Sequence, residues 1–331
     1  MNNQVEKWVN EWAIASGDHS FRDINAQLNF FASELFHDYQ PTQSLASNFK
    51  SRLENWLSNL TNDEDRKTLF KILPHIFYVG SKEFNNLFRV AYNEIIAKWL
   101  IDVNNIRFDN IQVAKTQIDD SLKQCWICPI TDSFNVNSFF KINNIPSNGW
   151  NEWRPQWYTI DRGNDLWKTY HKYIVTHGIR KLILLEDFIG SGSQVEGVVD
   201  FVLDKGLDLD VLLVPLINCP TGHQRFSDLE IKYDRLTYQA VLKPSSNCFV
   251  TQLKTDEEPI DFDQFRDLIT RSYLQVSNGL KPGFEKPYSP YGYRETGGLI
   301  VMFSNTPDNT IPSIHWNSDT WNPIFPRHSR N

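Results

Sequence analysis

The chain has 331 residues, 40% of them hydrophobic and 14% aromatic, and a formal net charge of −7. That length suits two domains or one large domain with an extension, and the apolar share is enough for a sizeable core. The acidic balance argues against a broad nucleic-acid surface, leaving direct nucleic-acid binding to a local patch at most, and no run of about 18 apolar residues marks a membrane span. Residues 1 to 110 are predicted to be a helical N-terminal region. Val5, Trp8, Val9, Trp12 and Ala13 share one helical face, and Ile24, Leu28, Phe31, Leu35 and Phe36 share a second. Asn62 begins a capping signal ahead of Leu69, Ile72 and Leu73. Phe84, Leu87, Val90, Ala91, Ile95 and Leu100 form a long stripe. None of these residues suggests chemistry, and the region is expected to dock a partner.

From residue 111 strands and helices alternate. A helix near Thr116 to Gln124 precedes a strand, Trp126 to Ile130, a loop, Thr131 to Asn135, and a helix around Ser138 to Phe140. Residues 144 to 164, with Pro146, Gly149, Pro155 and Gly163, read as a long loop. Leu166, Trp167, Tyr170, Tyr173 and Ile174 mark a helix, and Val211 to Ile217 a buried strand ending at Asn218 to Gly222. Gly222 and His223 could contact a ligand there, although a surface histidine accounts for His223 as well. Residues 256 to 263 read as an acidic loop, Phe265, Leu268, Ile269 and Tyr273 as a helix, 281 to 297 as an ordered Pro/Gly/Tyr loop, and Gly298 to Phe303 as a late strand.

Four cysteines include the pair Cys125 and Cys128. A zinc site would need a second pair or histidines at short spacing, so strand alternation, with the two thiols on opposite faces, is preferred. All four are expected to be reduced thiols, and an N-terminus unlike a signal peptide points to a cytoplasmic location. Tryptophans at 150, 153, 157, 316 and 321 lie outside clear helical stripes; they suit either a buried aromatic core or a stacking surface.

The richest segment is Lys181 to Gln194. Leu182 to Leu185 read as a buried parallel strand, with Glu186 and Asp187 at its carboxyl end. Gly190, Ser191, Gly192 and Ser193 follow, and Val195, Val198, Val199 and Val202 give a helix its apolar face. Glycine lets a backbone approach a ligand, and N–H groups at a helix start suit a phosphate. Adjacent carboxylates suit paired hydroxyls. A ribose 5-phosphate carries both. Bulk at Gly192 is then expected to block the ligand and spare the fold. Glu196 sits at capping-box spacing and is expected to fold back on the loop backbone.

This segment resembles the phosphoribosyl diphosphate-binding motif of the type I phosphoribosyltransferases. The spelling Glu186 to Gln194, with the run Asn305 to Pro312, Trp316 and Trp321 to Arg327, is similar to a divergent branch of phosphoribosyltransferase-like proteins in bacterial conflict and anti-phage systems, including retron loci. Gln194 stands where the family usually has threonine, and a serine replaces the second loop glycine. The resemblance covers roughly residues 110 to 331. It implies an α/β fold with a mainly parallel sheet over residues 111–331, Glu186 and Asp187 on the ribose, and Gly190, Ser191, Gly192, Ser193 and Gln194 on the phosphate. It also implies a pyrophosphate loop at Asp132 and Ser133, which equally suit a helix cap, and Mg²⁺ accompanying phosphoribosyl diphosphate. Arg327 is a candidate anion ligand. The reading is a transferase effector binding phosphoribosyl diphosphate or a nucleotide, with protein partners from the same operon. The alternative is a non-catalytic nucleotide sensor or defence-complex subunit.

Overall fold

The computed structural model describes residues 4–45, 48–146, 153–157, 160, 166–204, 208–281 and 288–328. The expectations for Gly149, Trp150 and Gly163 lie outside them. In chain order come helices α1 (Gln4–Ser16), α2 (Ser20–Glu34), α3 (Phe49–Ser58) and α4 (Asp63–Ile72), then strand β1 (Phe77–Val79). Helix α5 (Ser81–Val90) runs through a π-helical turn, Ala91–Ile96, into α6 (Ala97–Val103). Next are α7 (Ile111–Lys123), β2 (Cys125–Pro129), α8 (Val136–Ile142) and α9 (Leu166–His177). They are followed by β3 (Lys181–Ile189), α10 (Ser193–Asp204), β4 (Asp210–Asn218), α11 (Pro220–Lys232) and β5 (Leu236–Tyr238). The chain closes with α12 (Asp261–Val276), β6 (Tyr288–Ser289), β7 (Gly292–Tyr293), β8 (Ile300–Met302) and α13 (Pro312–His315). The fold is α/β, with mostly parallel strands and a helical N-terminal stretch.

Backbone packing divides the chain into two units, residues 82–244 and residues 1–81 with 245–331. The expected boundary near residue 110 falls inside the first of these, because α6 packs on α7 and the π-helical turn packs on β4. Its sheet has the order β2-β3-β4-β5, all parallel, with Leu184 between Cys128 and Leu213 in register. Right-handed crossovers between parallel strands in chain order put the helices that lead into β3, β4 and β5, namely α9, α10 and α11, on one face. The core agrees: Trp126, Cys128, Leu182, Leu184, Val211 and Leu213 cluster with Tyr170, Ile174, Val195, Val199 and Phe226 from α9, α10 and α11. Cys125, Ile127, Ile183, Leu185, Leu212 and Val214 alternate with these residues and are also completely buried. A strand buried on both faces reads as a continuous apolar run, which is why β3 and β4 were visible in the sequence. Cys125 and Cys128 occupy opposite faces, and burial pushes both thiols up to about 12.

The stripe predicted from Phe84 to Leu100 is interrupted. Phe84, Phe88, Ala91, Ile95, Ile96, Trp99 and Leu100 are buried, whereas Val90 reaches the surface and is 39% exposed. The π turn adds about a residue per turn and so shifts the apolar face of α6, where Trp99 and Leu100 are buried. The aromatic residues near the loop form a packed group: Trp126 stacks on Trp153 at 5.2 Å, and Trp157 meets Tyr170 at 6.2 Å.

Among the described residues the second unit is mainly helical and has one long-range strand pair. Asn62 caps α4 as predicted, accepting from the N–H groups of Glu64 and Asp65. Strand β1 lies where only helix was expected. Pro74 follows the end of α4, and Phe77, Tyr78 and Val79 then pair in parallel with Ile300, Val301 and Met302. Three residues paired to a segment far along the chain leave no local periodicity to read. Part of the expected loop at 281–297 is an antiparallel hairpin, β6 with β7; residues 282–287 lie outside the described set. The predicted acidic loop ends early, since Asp261 and Asp263 already form the first turn of α12.

The C-terminal segment is built into the second unit's core, where Trp321, Ile324 and Phe325 are all but completely buried. Its carbonyls receive side chains from the N-terminal helices. Trp56 Nε1 donates to Ser313 O at 2.7 Å and Arg52 Nε to Ile324 O at 2.9 Å. Tyr39 Oη donates to Pro326 O at 2.7 Å. Asn305 Nδ2 donates to His328 O while its Oδ1 accepts from His328 N, which closes the segment on itself.

Candidate functional site

Strand β3 continues four residues past its apolar run, so Glu186 and Asp187 lie within the strand, with Glu186 in register with Pro215. Both are 4% exposed. Buried carboxylates need partners, and the loop after β2 supplies them. Thr131 N donates to Glu186 Oε2 at 3.0 Å, and Thr131 Oγ1 to Oε1 at 2.7 Å. Ser133 Oγ donates to Asp187 Oδ1 at 2.8 Å, and Phe188 N to the same oxygen at 2.9 Å. Thr131 Oγ1 and Ser133 Oγ are 2.6 Å apart. The structure thus joins the predicted acids to the predicted loop through Ser133, and adds Thr131, which the sequence reading passed over. Asp132 itself is exposed. The cap of α8 is Asn135, whose side chain accepts from Ser138 N, so Asp132 and Ser133 are not that cap.

Gly190, Ser191 and Gly192 are buried, Ser193 is half-buried and opens α10, and Gln194 is exposed. Gly192 has φ +77°, and a Cβ built there would lie 2.9 Å from the Phe226 ring and 3.1 Å from Arg225 Cδ. Bulk at this position therefore meets α11, and the expectation that it would spare the fold is corrected. Gly222, in the first turn of α11, has the same tight fit from the other side: its Cβ would be 2.8 Å from Gly190 O. The two glycines let the loop and the helix touch.

Arg225 is a second residue that sequence reasoning missed. Its Nε donates to Ser191 O at 2.9 Å, and its guanidinium pairs with Glu196. Glu196 therefore turns to Arg225, whereas the sequence suggested the loop backbone. The pair is about one-third exposed and sits beside the glycine loop. Its two members lie on different helices, α10 and α11, and no spacing along the chain announces such a contact.

Further along the same sheet edge, Asn218 is fully buried and its Nδ2 donates to Tyr238 Oη at 2.7 Å. His223 Nδ1 lies 2.9 Å from that hydroxyl, and Lys243 Nζ lies 2.9 Å from His223 Nε2. Arg327 belongs to the other unit, where it pairs with Asp308. Among the described residues no group of three or more His, Cys, Asp or Glu could hold a metal ion, and no helix is long and apolar enough to cross a membrane.

The edge of this sheet therefore carries two buried carboxylates, a cluster of hydroxyls, and a glycine-serine turn opening a helix. Compared with known proteins, the chain matches the PRTase-CE family model over residues 53–327, which is most of its length and begins well before the motifs that signalled the resemblance. No curated protein and no solved structure matches.

Proposed function

The chain belongs to the PRTase-CE family, which is phosphoribosyltransferase-like, and on that premise we propose that the edge at β3 binds the ribose phosphate of phosphoribosyl diphosphate or a nucleotide. The observation that carries this reading is the adjacent buried pair Glu186 and Asp187, held by hydroxyls at a strand's carboxyl end. A carboxylate has about four lone-pair positions, so each can accept from a sugar hydroxyl beside its resident partner. Thr131 and Ser133 fix the carboxylates' orientation before a ligand arrives. The N–H groups of residues 190 to 193, at the start of α10, suit the 5-phosphate, and Arg225 holds that loop through Ser191 O.

Mg²⁺ fits this donor set only as a ligand-borne ion. Two carboxylates without a third protein ligand would leave it to diphosphate oxygens, ribose oxygens and water. When bound it would neutralise the diphosphate as the glycosidic bond opens. The chain's own residues hold the ribose and stabilise the positive charge that develops on it. In the proposed biological setting the protein is an effector in anti-phage defence, acting as a transferase. The second reading keeps the pocket as a nucleotide sensor without turnover.

Calorimetry on the full chain tests the binding step. Phosphoribosyl diphosphate with Mg²⁺ is expected to bind, with ribose 5-phosphate weaker but detectable. Release of diphosphate with a candidate acceptor would select the enzyme over the sensor. No heat from either ligand at millimolar concentration would overturn the ribose assignment.

A further inference from the structure

We propose that His223 and Lys243 form a second phosphate-binding site, at the carboxyl ends of β4 and β5, in which one anionic oxygen bridges the imidazole and the ammonium. The placement follows from the backbone. After β5 the chain stays zipped to β4: Val241 N donates to Pro215 O, Leu242 N to Leu216 O, and Asn218 N to Leu242 O. The next residue, Lys243, is thereby delivered to the edge where α11 starts. His223 lies in the first turns of that helix.

Hydrogen-bond logic gives the pair its character. An ammonium only donates, so His223 Nε2 must accept from Lys243 and Nδ1 must carry the proton. Nδ1–H then donates to Tyr238 Oη, which also receives Asn218 Nδ2. The imidazole is thus neutral and oriented by a buried tyrosine–asparagine pair. Burial and the neighbouring Lys243 charge both hold its pKa below the usual value. Protonation of Nε2 would set two donors against each other at 2.9 Å. An oxygen bearing negative charge, placed between them, accepts from both and removes the conflict.

The surroundings favour an anion. Among the described residues neither His223 nor Lys243 has a carboxylate partner. The acids on the packed elements are engaged elsewhere: Glu230 accepts Tyr238 N, Asp228 accepts Gln224 Nε2, and Glu196 pairs with Arg225. Burial keeps the Tyr238 hydroxyl un-ionised, with its pKa raised to about 12. Ammonium and imidazolium together match the charge of a phosphate dianion. The proposal does not depend on the ribose assignment at Glu186 and Asp187.

Imidazole NMR of the full chain tests it with sulfate, a dianion that does not itself titrate in this range. Saturating sulfate is expected to raise the His223 pKa by about one unit, equivalent to a tenfold preference for the protonated form. Lys243→Met, at an exposed position, should abolish that response without affecting the fold. An unchanged His223 titration in sulfate, or an equal response in Lys243→Met, would overturn the proposal. Diphosphate and ribose 5-phosphate are then competed against sulfate. Displacement by either supports a phosphate site and identifies its source; displacement by neither overturns the phosphate class. Asp187→Asn should leave the sulfate response intact, which separates failure of the ribose reading from failure of this one.

Discussion

The β3 edge and the C-terminal segment both bury polar groups, but the bonding partners differ in kind. In the C-terminal segment, indole, guanidinium and phenol groups donate to backbone carbonyls, as Trp56 and Trp321 do to Ser313 O and Arg52 does to Ile324 O. Such bonds fix a chain path, and no ligand can replace them without unfolding it. At the β3 edge the carboxylates of Glu186 and Asp187 accept from the N–H groups of Thr131 and Phe188 and also from the side-chain hydroxyls of Thr131 and Ser133. Those groups can share their acceptors with an incoming hydroxyl. Burial alone therefore does not separate a brace from a binding site; the chemical nature and exchangeability of the partner does.

The largest expected effect is on the brace. Trp321→Ala would empty a site that is 1% exposed and remove one of two indole donors from Ser313 O. Loss of a buried tryptophan costs about 3–5 kcal/mol, so the urea midpoint should fall steeply. A loss below about 1 kcal/mol would show that this segment is not a brace.

The comparison also has a pH arm. His315 is buried in the same segment, and its Nε2 hydrogen bonds to Thr310 O at 3.0 Å. Burial lowers its pKa to about 4. The unfolded state, with an ordinary histidine, takes up its proton first as pH falls. The stability is thus fully present above about 6.5, declines as pH falls towards 4, and levels off below it, for a total on the order of 3 kcal/mol. Unfolding curves at pH 7.5, 5.5 and 4 check this, and His315→Gln should flatten that part of the slope.

How far the sequence could foretell these two regions follows from the range of the interactions. The acids, the glycine loop and the valine face of α10 lie within one short segment, so their roles are legible locally. Partners on other elements were not. Thr131 reaches Glu186 from the preceding strand's loop, and Arg225 reaches Ser191 from the following helix. Only the folded sheet, with Leu185 opposite Pro129, brings them together. The segment from Asn305 to Arg327 was visible as a motif but silent as to purpose, because its bonds go to Tyr39, Arg52 and Trp56 at the other end of the chain.

A middle-sized effect is expected where the candidate site touches packing. Gly192→Ala places a Cβ at φ +77° against Phe226. The left-handed conformation alone costs about 1–2 kcal/mol, and the ring must shift as well. Thermal unfolding should show that loss with no ligand present. An unchanged melting temperature would mean that the loop relaxes freely, and the close fit of α11 to the loop would not hold.

The smallest stability effect, and the most informative, is expected at Asp187. Ser133 Oγ and Phe188 N both donate to Oδ1, and an asparagine carbonyl can keep that position. Asp187→Asn should therefore change stability by less than about 1 kcal/mol. Its neighbour is a built-in control. Glu186 accepts from Thr131 through both oxygens. In Glu186→Gln one donor must face an NH₂ group, which costs about 1–3 kcal/mol. Ligand binding should rank the other way for its cost in stability: removing the charge at Asp187 should weaken ribose 5-phosphate roughly tenfold, the value of one charge-assisted hydrogen bond, in a protein that melts almost as before. If Asp187→Asn instead melts as early as Glu186→Gln and still binds ribose 5-phosphate at full affinity, the acid pair belongs with the C-terminal brace, and the ribose reading fails.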